Sequence, residues 1–487
     1  MSRLIVGPFN RVEGDLEVRL DVEQGRVVSA QVVSPMYRGF EQMLAGRDPH
    51  DAMTIVPRIC GICSVSQSVA AARALADAAG QRPPPNGLHA TNLMLGCENA
   101  ADHLSHFYLF FMPDFTRSAY AGRAWYAEVQ RRFATLSGEH VRRALSARQR
   151  WFELMGTLGG KWPHTHSIVP GGSARAIDAA ERLRLLTQVR EFRAFVEEVL
   201  LGGDAIEHVL SLDSEAALER WRAQDPSRGD LRLWLTISAD TEMHLLGRGP
   251  ERWLSYGGWP QPDGRLRVGQ GVWEGPAGRL RTLDLAAITE DAASAWMSAG
   301  GLGPRHPFDG LTQPEPDKPA AYTWNKAPRL AGQVVETGAL ARWLVGGHPM
   351  LREAVRRGGG TVHTRVLARL LELSAGVVLM EETLGALVPR EPFHARVALP
   401  EEATGVGLAE AARGALGHWL RIERGRLANY QIVAPTTWNF SPRDAAGVPG
   451  ALESALAGTP VEPGEATPLA VQHIVRSFDP CMVCTVH

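Results

Sequence analysis

Hydrophobic and polar residues alternate over about the first 35 positions, and a helical period then dominates the chain. The segments "LEVRLDV" and "VVSAQVVS" predict two strands, joined by a turn at "EQGR". Helices are predicted after Cys63, through "ATNLMLGCENAADHLSHFYLFF", and over residues 138–155 and 361–387. The pattern therefore predicts several long helices preceded by a small hairpin.

Three further segments complete the pattern. Residues 173–201 predict a long amphipathic helix with Ser173 as its N-cap. Residues 203–320 are richer in Trp, Gly and Pro and are predicted to be irregular, with short strands. From residue 414 onward, "LGHWLRIERGRLANYQIVAP" predicts a second hairpin around "ERGR". No repeat or linker marks a boundary, so we expect one domain over residues 1–487, mainly α with small peripheral sheets and α+β elements around a bundle of long helices.

Composition narrows the class of protein without identifying it. Of 487 residues, 45% are hydrophobic and 21% are charged, which is ordinary for a globular protein. The net charge of −2 favours neither nucleic acid nor an anionic membrane as a partner. No apolar run reaches the ~20 residues that span a bilayer, and "MSRLIVGPFNRVEGD" is not a secretory signal. Five cysteines, an odd number, indicate metal ligands or reactive thiols in a reducing compartment.

Four of the cysteines form two CxxC pairs at opposite ends of the chain. Cys60 and Cys63 lie in "RICGICSVSQ", and Cys481 and Cys484 lie in "RSFDPCMVCTVH". Pairs so distant meet only if both terminal segments reach one buried site, which favours a single domain. Four thiolates suit zinc, an iron–sulfur cluster, or nickel or iron. The spacing alone favours structural zinc and leaves a redox metal and coincidence open.

Polar residues beside these pairs favour a redox metal over structural zinc. Glu13 and Asp479 offer carboxylates, "AARGALGH" offers Arg413, and the chain ends on a further candidate ligand, His487. A structural zinc site needs none of these groups, because four thiolates already complete its tetrahedral coordination.

Eight motifs occur in order from residue 11 to residue 487. They are "RVEGD", "YRGFEQMLAGRDP", "RICGICSVSQ", "DHLSHFY", "YTWNKAPR", "ARGALGHW", "YQIVAPTTWN" and "SFDPCMVCTVH". Together they closely resemble the large subunit of a [NiFe] hydrogenase. The resemblance covers essentially the whole chain, and it implies reversible cleavage of H2 into protons and electrons.

The resemblance assigns roles to the four cysteines. It implies that Cys60 and Cys481 are terminal nickel ligands. It also implies that Cys63 and Cys484 bridge nickel to an iron that carries CO and two cyanides. Thiolates suit electron-rich metals of this kind.

Heterolytic cleavage of H2 also requires a base beside the metal. By resemblance, Glu13 is a proton relay and Arg413 is a guanidinium above the open metal position. Asp102 and Asp479 match the carboxylates that hold this arginine. An arginine normally stays protonated, so Glu13 is the better candidate base. The residues that match positions around the iron's cyanides are Arg413, Pro435 and Thr436.

A second metal site is implied near the end of the chain. Glu41, the backbone carbonyl of Ile432 and His487 match a site usually assigned to magnesium, which prefers oxygen ligands. A histidine ligand is less typical of magnesium, so the identity of the ion stays open.

The cysteine count points to a partner. Only Cys97 lies outside the CxxC pairs, and one cysteine cannot hold an iron–sulfur cluster, which normally needs four ligands. We expect Cys97 to be a buried helix residue. The resemblance implies a small subunit that carries the clusters, together with maturation proteins that assemble the metal centre.

Several positions depart from the common family pattern. Substitutions at motif positions are Gln67 for histidine, Asp15 for histidine, and Ala339 and Ala412 for prolines. Ile62 and Phe110 are bulkier than the valine and leucine common along the gas channel, and would narrow it. Gln67, Ile62 and Phe110 together resemble the regulatory, H2-sensing branch. That branch implies slow, oxygen-tolerant turnover, a histidine kinase partner, a dimer of heterodimers and a cytoplasmic location.

Two alternatives remain. An energy-conserving uptake hydrogenase would be identical at the metal. A non-catalytic structural subunit related to respiratory complex I is remote, because such subunits have lost the cysteines and this chain keeps all four.

Overall fold

The computed structural model describes residues 2–275, 277–301 and 303–487. The first described residues form a three-stranded antiparallel sheet in the order β1-β2-β3. Its strands are β1 (Ser2–Val6), β2 (Glu17–Glu23) and β3 (Arg26–Val33). The β2–β3 hairpin turns at Gln24 and Gly25, both of which have positive φ, and this confirms the turn predicted at "EQGR".

Long helices form the centre of the molecule. The α-helices are α1 (Phe40–Leu44), α2 (Ala52–Ile55), α3 (Ser64–Ala78), α4 (Pro85–Ser105), α5 (Tyr126–Phe133), α6 (Glu139–Trp151), α7 (Glu153–Gly159), α8 (Ala179–Phe195), α9 (Ile206–Leu210), α10 (Glu215–Gln224), α11 (Asp230–Asp240), α12 (Ala339–Gly346), α13 (Pro349–Gly358), α14 (Val362–Ala386), α15 (Pro435–Asn439), α16 (Ala451–Leu456) and α17 (Leu469–Ser477). The longest, α14, packs against α4, α8 and α12. Helices α3 and α4 are buried on nearly all sides, so they belong to the core.

Small sheets lie around the helices. The remaining strands are β4 (Ile168–Val169), β5 (Gly172–Ser173), β6 (Arg252–Pro260), β7 (Leu266–Glu274), β8 (Arg279–Arg281), β9 (Ile288–Asp291), β10 (Ala327–Leu330), β11 (Glu336–Thr337), β12 (Ala403–Ala411), β13 (Gly414–Glu423) and β14 (Arg426–Val433). They form sheets in the orders β11-β6-β7-β8 and β12-β13-β14 and the pairs β4-β5 and β9-β10. The β13–β14 hairpin confirms the one predicted around "ERGR".

Helix α3 lies directly on strand β12. A Cβ atom on Gly407 would lie 1.8 Å from the carbonyl oxygen of Ala70, and Gly405 is similarly close to the next turn of the helix. Only glycine permits this approach. Because α3 begins after Cys63 and β12 ends two residues before Arg413, the contact fixes these two residues relative to each other.

The predicted start of the helix over residues 173–201 is wrong. The helix begins at Ala179, and Asp178 is its N-cap in a capping box with Glu181. Ser173 instead pairs with Ile168 across the β4–β5 strands. The capping box of Asp178 and Glu181 satisfies two backbone amides at the helix start, so it is a stronger N-terminal signal than an isolated serine.

The prediction of an irregular segment over residues 203–320 is wrong in its first third. Helices α9, α10 and α11 occupy most of the stretch from residue 206 to residue 240, and short strands follow as predicted. The predicted class, mainly α with small sheets, is confirmed. Among the residues that the structure describes, no helix combines the length and apolar character needed to cross a membrane.

Candidate metal centre

Four cysteine side chains converge in the interior. Cys63 is the residue immediately before α3, Cys481 is the residue immediately before a short 3₁₀ turn (Met482–Cys484), and Cys484 is the last residue of that turn. The Sγ atoms of these three residues and of Cys60 all lie within 4.8 Å of one another. The shortest separations are 2.8 Å for Cys63–Cys484, 3.1 Å for Cys481–Cys484 and 3.5 Å for Cys60–Cys481. The predicted meeting of the two CxxC pairs is therefore observed.

The four thiol groups are arranged to bind a metal ion rather than to form disulfides. All four are buried and none forms a disulfide. Burial raises the pKa of Cys481 and Cys484, because a thiolate loses its solvation there. A bound soft cation would restore the thiolate form, and four convergent sulfurs are the donor set of such a cation. The residues present thus fit a nickel- or iron-containing group.

The N-terminal segment fixes the C-terminal pair. Glu13 forms an isolated parallel bridge with Cys481, and its carbonyl oxygen accepts a hydrogen bond from the Met482 amide at 2.7 Å. Gly14 has a φ of +78°, and a Cβ atom there would lie 3.0 Å from a side-chain carbon of Val483. The glycine thus allows the two segments to touch.

Arg38 joins the two cysteine segments directly. Its guanidinium donates to the carbonyl oxygens of Ile59 and Val483, at 2.6 and 2.5 Å. Ile59 precedes Cys60, and Val483 precedes Cys484. One side chain therefore holds the backbone beside a cysteine of each pair.

Glu13 lies at the edge of the four-sulfur cluster and is half-buried. Burial raises its pKa, and the negative charge of Cys60 raises it further. Its carboxyl group therefore binds a proton more readily than an exposed glutamate would.

Arg413 lies at the turn between β12 and β13, and two carboxylates hold its side chain. Its Nη1 donates to Asp102 at 2.5 Å, and its Nη2 donates to Asp479 at 3.1 Å. Its Nε donates to the Asp479 backbone carbonyl at 2.9 Å. Burial opposes the charge, but the two carboxylates outweigh it and keep the pKa of Arg413 above its usual range. For Asp102, burial dominates and raises the pKa to about 7.

Thr436 contacts the same cluster from helix α15. Its hydroxyl oxygen accepts a hydrogen bond from the Cys481 amide at 3.2 Å, and Pro435 is the first residue of the helix. The hydroxyl hydrogen of Thr436 is free to donate to a group beside Cys481.

A second group of candidate ligands meets beside the last residue. The Ile432 amide donates to Glu41 at 2.8 Å, and His487 Nε2 donates to the Ile432 carbonyl at 3.1 Å. These residues line a cavity of about 10 Å³. Burial raises the pKa of Glu41 to about 7 and lowers that of His487 to about 3. His487 Nδ1 has no hydrogen-bond partner among the described residues, so a carboxylate and an imidazole nitrogen are available to a cation.

Gln67 takes no part in the sulfur cluster. Its side-chain oxygen accepts a hydrogen bond from His418 Nε2 at 2.9 Å, and His418 Nδ1 accepts one from the Tyr430 hydroxyl at 2.8 Å. All three side chains are buried. Burial lowers the pKa of His418 well below its usual range, so its ring is neutral.

Ile62 and Phe110 line one cavity of about 170 Å³, together with Asp102. Asp102 connects the cavity to Arg413, and the narrowing of a gas channel by the two bulky side chains stays a prediction. Cys97, as predicted, is a fully buried residue of α4.

Arg38 and Glu98 were missed by sequence reasoning. Glu98 lines the same cavity and accepts hydrogen bonds from the amides of Val65 and Ser66, both at 2.8 Å. It therefore caps α3 immediately after Cys63. Burial raises the pKa of Glu98 to about 8. Neither role has a local signal, because both residues bind backbone groups distant in sequence.

Comparisons with known proteins extend over the whole chain. A family model described as nickel-dependent hydrogenase matches residues 38–137 and 115–487. The periplasmic [NiFeSe] hydrogenase large subunit of Desulfomicrobium baculatum is 30% identical, over 100% of this chain and 95% of the relative. The uptake hydrogenase large subunit of Afipia carboxidovorans is 28% identical, over 100% and 95% of the two chains.

Solved structures give the same result. The H2-activated, anaerobically purified [NiFeSe]-hydrogenase of Dm. baculatum matches with a TM-score of 0.86 at 30% identity, covering 100% of both chains. The reduced Ni-Fe-Se hydrogenase of D. vulgaris Hildenborough matches with a TM-score of 0.84 at 29% identity, again covering 100% of both chains. This chain has cysteine at all four ligand positions described above.

Proposed function

Since this chain belongs to the nickel-dependent hydrogenase family as a large subunit, we propose that it cleaves H2 heterolytically at a nickel–iron centre held by its four convergent cysteines. The observation that carries the proposal is the approach of these four buried sulfurs to within 4.8 Å of one another. Cys60 and Cys481 would bind nickel alone, and Cys63 and Cys484 would bridge to an iron carrying CO and two cyanides. When present, the nickel–iron centre would bind H2 and accept the electrons released from it.

Glu13 is the residue that we propose receives the proton. Its backbone is joined to that of Cys481 and Met482, and its carboxyl group is half-buried beside Cys60. At this position, Glu13 could accept a proton at the sulfur cluster and release it towards solvent.

Arg413 is proposed to act as a fixed cation rather than as a base. Asp102 and Asp479 hold its charge in place and orient the guanidinium. Donors around the cyanide nitrogens would then come from Arg413, from Thr436 and from the backbone beside Pro435.

Magnesium is proposed at the second group of ligands. Glu41, the Ile432 carbonyl and His487 supply two oxygens and one nitrogen in a cavity of about one water.

A small subunit with iron–sulfur clusters is the proposed electron acceptor. With four cysteines at the metal centre, only Cys97 is left in the sequence, and it is buried within α4. Electrons therefore have to leave through another chain.

Glu13→Gln tests the proton relay in the complex with the small subunit. We expect H2–D2O exchange to fall by about 10²-fold or more, because general acid–base groups contribute that much, while nickel and iron contents stay unchanged. Glu17→Gln, at a partly exposed carboxylate four residues further along the chain that pairs with Arg19, is the matched control and should keep full exchange. Unchanged exchange in Glu13→Gln would remove Glu13 from the relay.

Energy-conserving uptake of H2 is the biological role that the relatives support better. Their names include uptake and periplasmic hydrogenases, and the proposed chemistry at the metal suits that role without further assumptions.

Sensing of H2 is the second candidate, and the cavity beside the metal site favours it. Ile62 and Phe110 both face this cavity, where their bulk would slow oxygen more than H2. Gln67 supports the same role, because an amide there cannot titrate. In this role the partners would include a histidine kinase, within a dimer of heterodimers in the cytoplasm.

The double variant Ile62→Val, Phe110→Leu separates the two roles. For a sensor, the parent complex turns over slowly in air, and the variant is inactivated by oxygen at least severalfold faster because the cavity widens. The control is Ile177→Val, Phe133→Leu, which removes the same atoms from buried positions outside the cavity. Fast turnover that oxygen stops in the parent complex supports uptake. Equal oxygen tolerance of both double variants would reject the cavity explanation.

A further inference from the structure

The turn that carries Arg413 is buried. Ala411 pairs with Gly414 across the β12–β13 hairpin, so Ala412 and Arg413 form a two-residue turn. These four residues are all buried. Buried peptide carbonyls need hydrogen-bond donors, and a turn away from solvent has no water to supply them.

Arg342 supplies those donors from helix α12. Its Nη1 donates to the Ala411 carbonyl and its Nη2 to the Ala412 carbonyl, both at 2.9 Å. The remaining donors bind carboxylates: Nε and Nη2 bind Glu372 at 2.8 and 2.5 Å, and Nη1 binds Glu410 at 2.6 Å. All five N–H groups of the guanidinium are therefore used.

Glu372 connects Arg342 to the segment of helix α4 that contains Asp102, which binds the side chain of Arg413. His103 Nε2 donates to Glu372 at 2.9 Å, and His103 follows Asp102 in helix α4. Burial raises the pKa of Glu372, but Arg342 and His103 outweigh it and lower that pKa to about 2. The Glu372 carboxylate is therefore charged, and it orients the side chains of both Arg342 and His103.

Close packing holds Gly414 against Thr337 and Gly338, whereas hydrogen bonds from Arg342 hold the carbonyl groups of Ala411 and Ala412. Arg342, Glu372, His103 and Glu410 all line a cavity of about 430 Å³. Ala412 has no ring that would restrict its φ angle, as a proline would. The positions of these two carbonyl groups, which belong to the two peptide bonds before Arg413, therefore depend on the bonds from Arg342.

We propose that Arg342 is a positioning residue for Arg413, and that it acts by holding the carbonyl groups of Ala411 and Ala412. The inference rests on the proposed function, because Arg413 matters to turnover only if H2 is cleaved beside it. Arg342 itself does not touch the sulfur cluster.

Arg342→Lys tests the proposal in the complex purified with its small subunit. A lysine has three donors in place of five and cannot bind two carbonyls and two carboxylates at once. We expect H2-dependent dye reduction to fall about tenfold or more, since small displacements of a catalytic group have effects of this size. Nickel and iron contents should stay unchanged. Deuterium uptake at the amides of residues 411–416, measured by mass spectrometry, should become faster.

Arg232→Lys is the matched control. Arg232 is also buried and donates to the carbonyls of Trp221 and Leu201 and to Asp204, none of which belongs to the metal centre. We expect less than a twofold change in turnover and no change in deuterium uptake over residues 411–416. Equal behaviour of Arg342→Lys and Arg232→Lys would overturn the inference.

Arg413→Lys separates this inference from the proposed function. If Arg413→Lys keeps full turnover, the proposed role of Arg413 fails. If it loses turnover while Arg342→Lys matches the control, the inference alone fails. Should Arg342→Lys not accumulate, Glu372→Gln weakens two of the five bonds and leaves the arginine in place. A severalfold loss with faster exchange over residues 411–416 then supports the inference, and no change in either rejects it.

Discussion

At the scale of single residues, Gln67 links helix α3 to the central strand of the β12-β13-β14 sheet. Its amide oxygen accepts from His418, which in turn accepts from Tyr430. The neutral ring of His418 therefore has its Nε2 hydrogen directed at Gln67. An amide does not titrate, and burial keeps the pKa of His418 well below its usual range, so neither group changes its charge near neutral pH.

Gln67→Leu should destabilise the protein while leaving all four cysteines in place. The change leaves the Nε2 hydrogen of His418 buried without an acceptor, which costs about 1–3 kcal/mol. The midpoint of urea unfolding, measured on the purified complex, should fall accordingly. Gln224→Leu, at an exposed position in helix α10, should stay within about 0.5 kcal/mol. Equal midpoints for the two variants would contradict the role given to this hydrogen bond.

The sequence identifies residues that act through their own motif, and it misses those that act at a distance. Glu13, Asp102, Arg413 and Asp479 stand in short motifs, and the structure brings the last three into contact. Arg342, in contrast, binds carbonyl groups about 70 residues further along the chain. No local period or spacing encodes such a partner, because the fold creates it.

At the scale of elements, the contact of α3 with β12 places the first cysteine pair beside the turn that carries Arg413. Two glycines in β12 allow the backbones to touch, and Glu98 caps the first turn of the helix. The helix is therefore fixed both at its start and along its length.

Gly407→Ala should displace α3 and weaken the metal site. The new Cβ would lie 1.8 Å from the Ala70 carbonyl, and overpacking of this kind costs about 1–3 kcal/mol. We expect a lower unfolding temperature and a lower nickel content. Gly385→Ala is the control, because a Cβ there meets nothing within 4 Å and helix α14 should gain up to about 1 kcal/mol. Normal nickel content in Gly407→Ala would show that the contact does not control the site.

Hairpins were predicted correctly because their signals are local, with alternating strands on either side of a short turn. The helix start predicted at Ser173 was wrong because Asp178, five residues later, caps the helix together with Glu181. Helix α11 was missed because it is buried on most sides, so its sequence lacks the one-sided pattern of a surface helix.

At the scale of the whole molecule, the metal centre ties together segments from both ends of the chain. Glu13, Arg38, Cys60 and the segment 481–484 meet there through backbone and side-chain bonds. We propose that residues 1–487 form a single domain, since neither CxxC pair completes the site alone.

Removal of the metal should loosen the C-terminal segment. Without a cation, nothing holds the four buried thiols together. A metal ion that binds only the folded state stabilises that state, so its removal lowers the stability of the protein. Trypsin should then cut after Arg476, which is buried, much faster in the metal-free protein than in the loaded protein. Cleavage after Arg390, which is exposed, should be equal in both. Equal protection of Arg476 in the two forms would show that the metal does not hold this segment.

The two cysteine pairs lie far apart in the sequence, so they are synthesised at different times. Cys481 follows Cys60 by 421 residues, so at ~5–20 residues per second roughly 20–80 s of synthesis separate them. Throughout that interval the nascent chain has only half of the sulfur donors. Only Cys60 and Cys63 would be available to a metal ion that arrived in that interval, and the four-sulfur site can close only after Cys484 has been synthesised.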